Sequence, residues 1–93
     1  MKGNSMIRRQ IIFYGRVQGV GFRYKARYMA DSLGLTGYVH NEYDGSVKME
    51  VQGDEAVIDR MICGLQQDRY IDIRDMSVRK LNCVEDERSF KIR

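Results

Sequence analysis

Polar and apolar residues alternate most cleanly at 47–52, where Val47, Met49 and Val51 are separated by Lys48, Glu50 and Gln52. A period of two with one apolar side predicts a strand with one face buried and one wet. Residues 8–14 hold Ile11, Ile12, Phe13 and Tyr14 and read as a first strand ending at Gly15. Residues 35–42 and 73–81 also read as strands, and Phe90 and Ile92 are the apolar alternates of a short last one. Elsewhere the period changes. Phe22, Ala26, Met29 and Leu33 recur every three or four residues, which predicts a helix over 22–33 stopped by Gly34. Ile58, Met61, Ile62 and Leu65 form the stripe of a second helix, with Asp54 as its N-cap. Gly64 inside that stripe costs about 1 kcal/mol against alanine and weakens the last turn. Asp44-Gly45 is a hairpin turn between 35–42 and the alternating strand.

The order of elements is β-α-β-β-α-β-β. Short connections and right-handed crossovers fold the first six into two split β-α-β units. That predicts an α+β domain: an antiparallel sheet with both helices on one face. In such a unit the first two strands run parallel with another strand between them. Their C-terminal ends share one edge of the sheet, roughly 9–10 Å apart. The first strand leads into a glycine-rich run, and the second ends at His40 and Asn41. Arg23 and Asn41, far apart in sequence, are therefore expected to face one small site. The domain is expected over residues 7–93, with 1–6 a flexible N-terminus.

Charge and composition narrow the ligand. A net charge of +3 over 93 residues suits an anionic partner and is a weak sign of nucleic acid. No stretch approaches the ~18 apolar residues of a membrane span. Cys63 and Cys83 lack CxxC spacing and read as reduced, structural thiols of a cytoplasmic protein, with Cys63 as core filler beside the helix stripe. His40 is the lone histidine and reads as a strand-end surface residue, so no metal site is expected. The tyrosines read as core rim and surface, and 85–88 as a solvated loop.

The run Gly15-Arg16-Val17-Gln18-Gly19-Val20-Gly21-Phe22-Arg23 carries the chemistry. A glycine-rich turn between strand and helix can point several backbone N–H groups at one anion, and the helix N-terminus adds positive potential. Arg23 falls in the first helical turn, where a cation costs about 0.3–1 kcal/mol against the macrodipole. An anion between the two removes that conflict. The run is neither a P-loop, since no Lys-Ser/Thr follows Gly19 or Gly21, nor a dinucleotide fingerprint, since Tyr24 stands where a third glycine is needed. It contains no Cys, Ser, Thr or His nucleophile, which leaves simple binding or direct attack by water. Asn41 can hold a water through its carboxamide but is no base at neutral pH. A reaction relying on it needs a good leaving group, such as the carboxylate of a carboxyl–phosphate anhydride.

Two segments together resemble the signatures of acylphosphatases. The glycine-rich run ending in Phe22-Arg23 is similar to the first. Gly37-Tyr38-Val39-His40-Asn41-Glu42-Tyr43-Asp44-Gly45-Ser46-Val47 is similar to the second. The likeness spans roughly residues 8–93. It implies a ferredoxin-like fold and metal-free, cofactor-free hydrolysis of acyl phosphates to carboxylate and phosphate. It implies that Arg23 binds the phosphoryl group and Asn41 positions the water. The backbone cradle maps onto Gln18, Gly19, Val20, Gly21 and Phe22. The partners expected are a small acyl phosphate and inorganic phosphate, the latter as product and competitive inhibitor, acting on a monomer with no nucleic acid or membrane. The family usually has a Gly-Pro connection after the second helix, where this chain has Gln66-Gln67-Asp68-Arg69-Tyr70. A different class remains open on fold alone: a non-catalytic anion-binding or RNA-binding module. RNA-recognition motifs carry aromatic residues on the strand that is here Val47-Lys48-Met49-Glu50-Val51.

Overall fold

The structure is a computed structural model that describes residues 6–93. Its elements are β1 (Met6–Arg16), α1 (Phe22–Leu33), β2 (Thr36–Asn41), β3 (Val47–Asp54), α2 (Glu55–Gln66), β4 (Asp72–Leu81) and β5 (Phe90–Ile92). The strand order is β4-β1-β3-β2-β5. β3 pairs antiparallel with both β1 and β2, so β1 and β2 run parallel with β3 between them. This is the split β-α-β arrangement of a ferredoxin-like sandwich.

The apolar alternates of the sheet meet the helix stripes in one core. Ile11, Phe13, Val39, Val47, Met49 and Val51 are fully buried with Ala26, Ala30, Ile58 and Leu65. Asp54 caps α2 as expected, its carboxylate accepting from the Ala56 N–H at 3.0 Å. Gly64 does not shorten α2. A Cβ there would meet only the tip of the Met29 side chain, Cε at 2.8 Å, where α2 faces α1. The proline-free connection after α2 is tied to the first turns of α1. Lys25 Nζ lies 2.8 Å from Asp68 Oδ1 and stands 4.9 Å from the centre of the Tyr70 ring.

Several expectations need correction. β1 runs two residues past Tyr14 to Arg16, because Gly15 (φ 127°) absorbs a bulge in the pairing with β4 instead of ending the strand. Met6 begins β1 and pairs opposite Asp54, so it does not belong to a flexible N-terminus; residues 1–5 lie outside the described residues. The sheet is not wholly antiparallel. β4 and β5 occupy opposite edges, and residues 82–89 cross the end of the sheet between them, so β5 enters beside β2 in the same direction. Cys63 is exposed, not core filler, because it sits on the α2 flank away from Ile58, Met61 and Leu65; Cys83 is exposed too.

The crossing segment is also more than a solvated loop. Arg8 is 3% exposed and points off the open face of the sheet, where Glu50 Oε1 lies 3.0 Å from its Nε. Its Nη1 donates to Gln52 at 3.1 Å and to Glu87 at 2.8 Å. Gln52 in turn donates to the Val84 carbonyl and accepts from the Val84 N–H, at 2.9 and 2.7 Å. Tyr38 donates to the other Glu50 oxygen at 2.8 Å. Burial, then the Glu50 carboxylate, pushes the Tyr38 phenol up to about 12. Burial alone would raise Glu50, but the Tyr38 hydroxyl and the Arg8 guanidinium outweigh it and hold the carboxyl below its usual range.

Candidate active site

The other end of the sheet, where β1 and β2 finish, carries the glycine-rich turn. Residues 17–21 leave the sheet and re-enter as α1. Phe22, the first residue of α1, is buried against Phe13 with ring centres 4.9 Å apart, which anchors the turn to the core. Gly21 is the N-cap of α1 and takes the left-handed conformation (φ 78°, ψ 17°), which a residue with a Cβ adopts only with strain. No side chain caps the helix there, and its first turn holds no acidic residue. The leading N–H groups of a helix have no partner inside the helix. Here no side chain takes them.

Val17, Gly19, Gly21, Phe22, Arg23, Tyr24 and Asn41 line a small cavity of about 190 Å³ at this end. Arg23 and Asn41 are thus brought to one place. Both are half-buried, and among the described residues neither side chain has an ion-pair or hydrogen-bond partner. Of the expected cradle residues, Gly19, Gly21 and Phe22 border the cavity. The Val20 side chain packs against the core cluster. Among the described residues, no three His, Cys, Asp or Glu side chains converge as a metal-binding group.

Gln18 does something the sequence did not disclose. Its Nε2 donates to the Glu42 carbonyl at 2.7 Å and to the Ser46 carbonyl at 2.9 Å. These two carbonyls close the β2–β3 turn, where the Glu42 N–H also donates to the Ser46 oxygen at 2.9 Å. Inside the turn, Asp44 Oδ1 accepts from the Ser46 N–H and hydroxyl at 2.9 and 2.6 Å. Those bonds hold the Asp44 carboxyl below its usual value. The Gln18 carboxamide therefore clamps the cradle to the turn that directly follows Asn41. No periodicity reveals such a contact; only the identity of a long donor just before Gly19 hints at it.

His40 is exposed on β2 and pairs with Glu42, Nδ1 lying 2.6 Å from Oε2. Asn41 and His40 are successive strand residues and point to opposite faces. Tyr24, exposed and lining the cavity, is not among the expected site residues.

The fold is an α+β sandwich of the ferredoxin-like class, and the ends of its two parallel strands bring an unpartnered arginine and a carboxamide to one cavity beside a glycine-rich turn. The comparisons refine this. The family model described as acylphosphatase matches residues 9–92. An acylphosphatase of Clostridium acetobutylicum is 38% identical over 79 residues, 84% of this chain and 87% of that protein. The crystal structure of the Bacillus subtilis acylphosphatase superposes with a TM-score of 0.84 at 33% identity, over 92% of this chain and 97% of that one. The crystal structure of full-length HypF, in a phosphate- and nucleotide-bound form, matches with a TM-score of 0.85 at 31% identity, over 98% of this chain but 12% of HypF. The chain belongs to the acylphosphatase family.

Proposed function

We propose that the protein hydrolyses acyl phosphates by direct attack of water on phosphorus, with Arg23 holding the phosphoryl group and Asn41 the water. Family membership supplies the reaction class, the cleavage of a carboxyl–phosphate anhydride to carboxylate and phosphate. The observation that carries the residue roles is the meeting of Arg23 and Asn41 at one cavity floored by the glycine-rich turn.

The chemistry follows from what these groups can and cannot do. The phosphoryl oxygens lie against the backbone N–H groups of 18–22 and the Arg23 guanidinium, whose planar fork donates two parallel hydrogen bonds. Charge that spreads over the equatorial oxygens in the transition state meets donors already in place. Asn41 accepts from and donates to one water and sets its direction, without taking its proton at neutral pH. The leaving carboxylate needs no protonation, so the absence of a strong base is no obstacle. Gln18 keeps cradle and water-holder in register. A cytoplasmic setting, where thiols stay reduced, suits the free Cys63 and Cys83.

The test is hydrolysis of benzoyl phosphate by the purified protein with and without chelator, beside an ordinary phosphate monoester. Activity on the anhydride alone, unaffected by chelator and competitively inhibited by inorganic phosphate, is expected. Asn41→Ala should lower kcat by at least ~10²-fold, about 2.7 kcal/mol of transition-state stabilisation. Its phosphate affinity and folding should match the parent. Normal turnover by a folded Asn41→Ala protein would reduce Asn41 to a turn residue and sink the mechanism.

A further inference from the structure

The mouth of the cavity has an aromatic side that the hydrolytic mechanism does not use. Tyr24 lines the cavity, yet its side chain is 70% exposed. Among the described residues its hydroxyl has no hydrogen-bond partner and its ring no aromatic or cationic neighbour. Tyr28 lies one helical turn further along the same side of α1 and is 77% exposed. Three further exposed tyrosines fall in segments at this end of the sheet. Tyr14 ends β1's regular pairing, Tyr43 is in the β2–β3 turn, and Tyr70 precedes β4. The one tyrosine that is not exposed, Tyr38, lies within β2 and is bonded to Glu50.

Size sharpens the point. A cavity of about 190 Å³ is below the usual range of small-molecule pockets, roughly 300–1,000 Å³. It suits the phosphoryl group and the atoms next to it, and the rest of an acyl group must lie across the rim. Among the lining residues, the glycines offer no side chain, and Val17 and Phe22 are buried in the core. Arg23 and Asn41 are engaged by the phosphoryl group and the water. Among these lining residues Tyr24 alone carries an exposed aromatic ring without a partner.

We propose that Tyr24 is the specificity-determining residue for the acyl group, its ring packing against planar or apolar acyl chains and so favouring aromatic acyl phosphates over acetyl phosphate. The inference rests on the hydrolytic reading and adds to it the class of acyl group accepted. No bond is made or broken at Tyr24, so it acts on the kcat/KM ratio between substrates and not on the attacking water. Packing of one aromatic ring against another is worth about threefold to tenfold in affinity.

The experiment measures kcat/KM for benzoyl phosphate and for acetyl phosphate with the parent, Tyr24→Ala and Tyr24→Phe. The benzoyl-to-acetyl ratio should fall about fivefold in Tyr24→Ala and stay near the parent in Tyr24→Phe, which keeps the ring. Inhibition by inorganic phosphate, which has no acyl group, reports on the cradle alone. A ratio that does not move in Tyr24→Ala overturns the proposal while leaving the hydrolytic reading in place. So does a loss that appears equally in the phosphate inhibition constant, because it would lie in the cradle. A parent inactive on both substrates brings down the hydrolytic reading, and the inference with it.

Discussion

Arg8 and Arg23 stand at opposite ends of one sheet and have opposite surroundings. Arg8 is buried and met by two carboxylates and a carboxamide, from β3 and from the segment between β4 and β5. Arg23 sits on a helix N-terminus, half-buried and without an ion-pair partner among the described residues. The first arginine closes the structure, because every charge it meets belongs to the protein. The second leaves the structure open, because the protein supplies it with no counter-charge among the described residues. A fold can hold such an unpaired cation only where water or a ligand reaches it, and the cavity provides that access. The same side chain thus serves architecture at one end and, in the function proposed above, recognition at the other, and the difference lies in which partners the backbone delivers.

The comparison breaks most sharply under substitution. Arg23→Ala should lower kcat/KM for an acyl phosphate by about 10³-fold, and Arg23→Lys by nearly as much, since an ammonium cannot make the paired hydrogen bonds. Stability should stay within about 0.5 kcal/mol of the parent in urea unfolding, since no internal partner is lost. Arg8→Ala should do the reverse. The half-buried Glu50 and Glu87 would lose their shared counter-charge, at a cost of about 3 kcal/mol. The melting temperature should drop by more than about 10 °C, while kcat measured on folded protein at low temperature stays at the parent value. If Arg8→Ala lowered kcat while leaving melting untouched, the division of labour would be wrong.

Gln18 lies between the two cases, and its substitution should move both readouts. Gln18→Ala removes two hydrogen bonds to the β2–β3 turn, worth about 1 kcal/mol net. With Asn41 less well held, kcat should also fall about tenfold. Gln18→Glu should be worse than alanine, because a carboxylate cannot donate to the Glu42 and Ser46 carbonyls. Equal parent-like turnover in both variants, by steady-state assay, would remove the clamp from the mechanism.

The smallest effect is the pH dependence of the closed end. The Tyr38 phenol is raised from 10.0 to about 12. A raised acid binds its proton longer in the folded state, so its contribution is whole below pH 10 and is lost as pH rises toward about 12. Glu50 is lowered from 4.5, so its contribution is whole above that pH and is lost as the pH falls through the folded value. Urea unfolding across this range should show both limbs. Tyr38→Phe should remove the alkaline one, a change of about 1 kcal/mol after solvent screening.

The two ends also differ in how far they could be read from the chain. Helical and strand periods survive in Phe22–Leu33 and in Val47, Met49 and Val51 because those residues serve one core at a fixed spacing. The split topology followed from them, and with it the meeting of Arg23 and Asn41. Periodicity could not find contacts made by single polar side chains over long separations. The Gln18 clamp and the Arg8–Glu87 pair are of that kind, and so the segment 85–88 read as bare solvent-facing loop. The Gly15 boundary and Cys63 failed for a local reason. A glycine suits a bulge as well as a strand end, and one position off a helical stripe suffices to expose a side chain.

The route of residues 82–89 across the sheet also bears on how the protein reaches its fold. The bonds that hold this segment join residues 32 apart, in the Gln52–Val84 pair, and 79 apart, in the Arg8–Glu87 pair. Closing so long a stretch of chain changes the equilibrium little, because loop entropy grows only with the logarithm of length. It changes the kinetics more, since topologies rich in distant contacts search longer before any of those contacts forms. The segment that seals the sheet on one side therefore makes the protein a slower folder than its size suggests, while the cradle, built from neighbours in sequence, adds little to that delay.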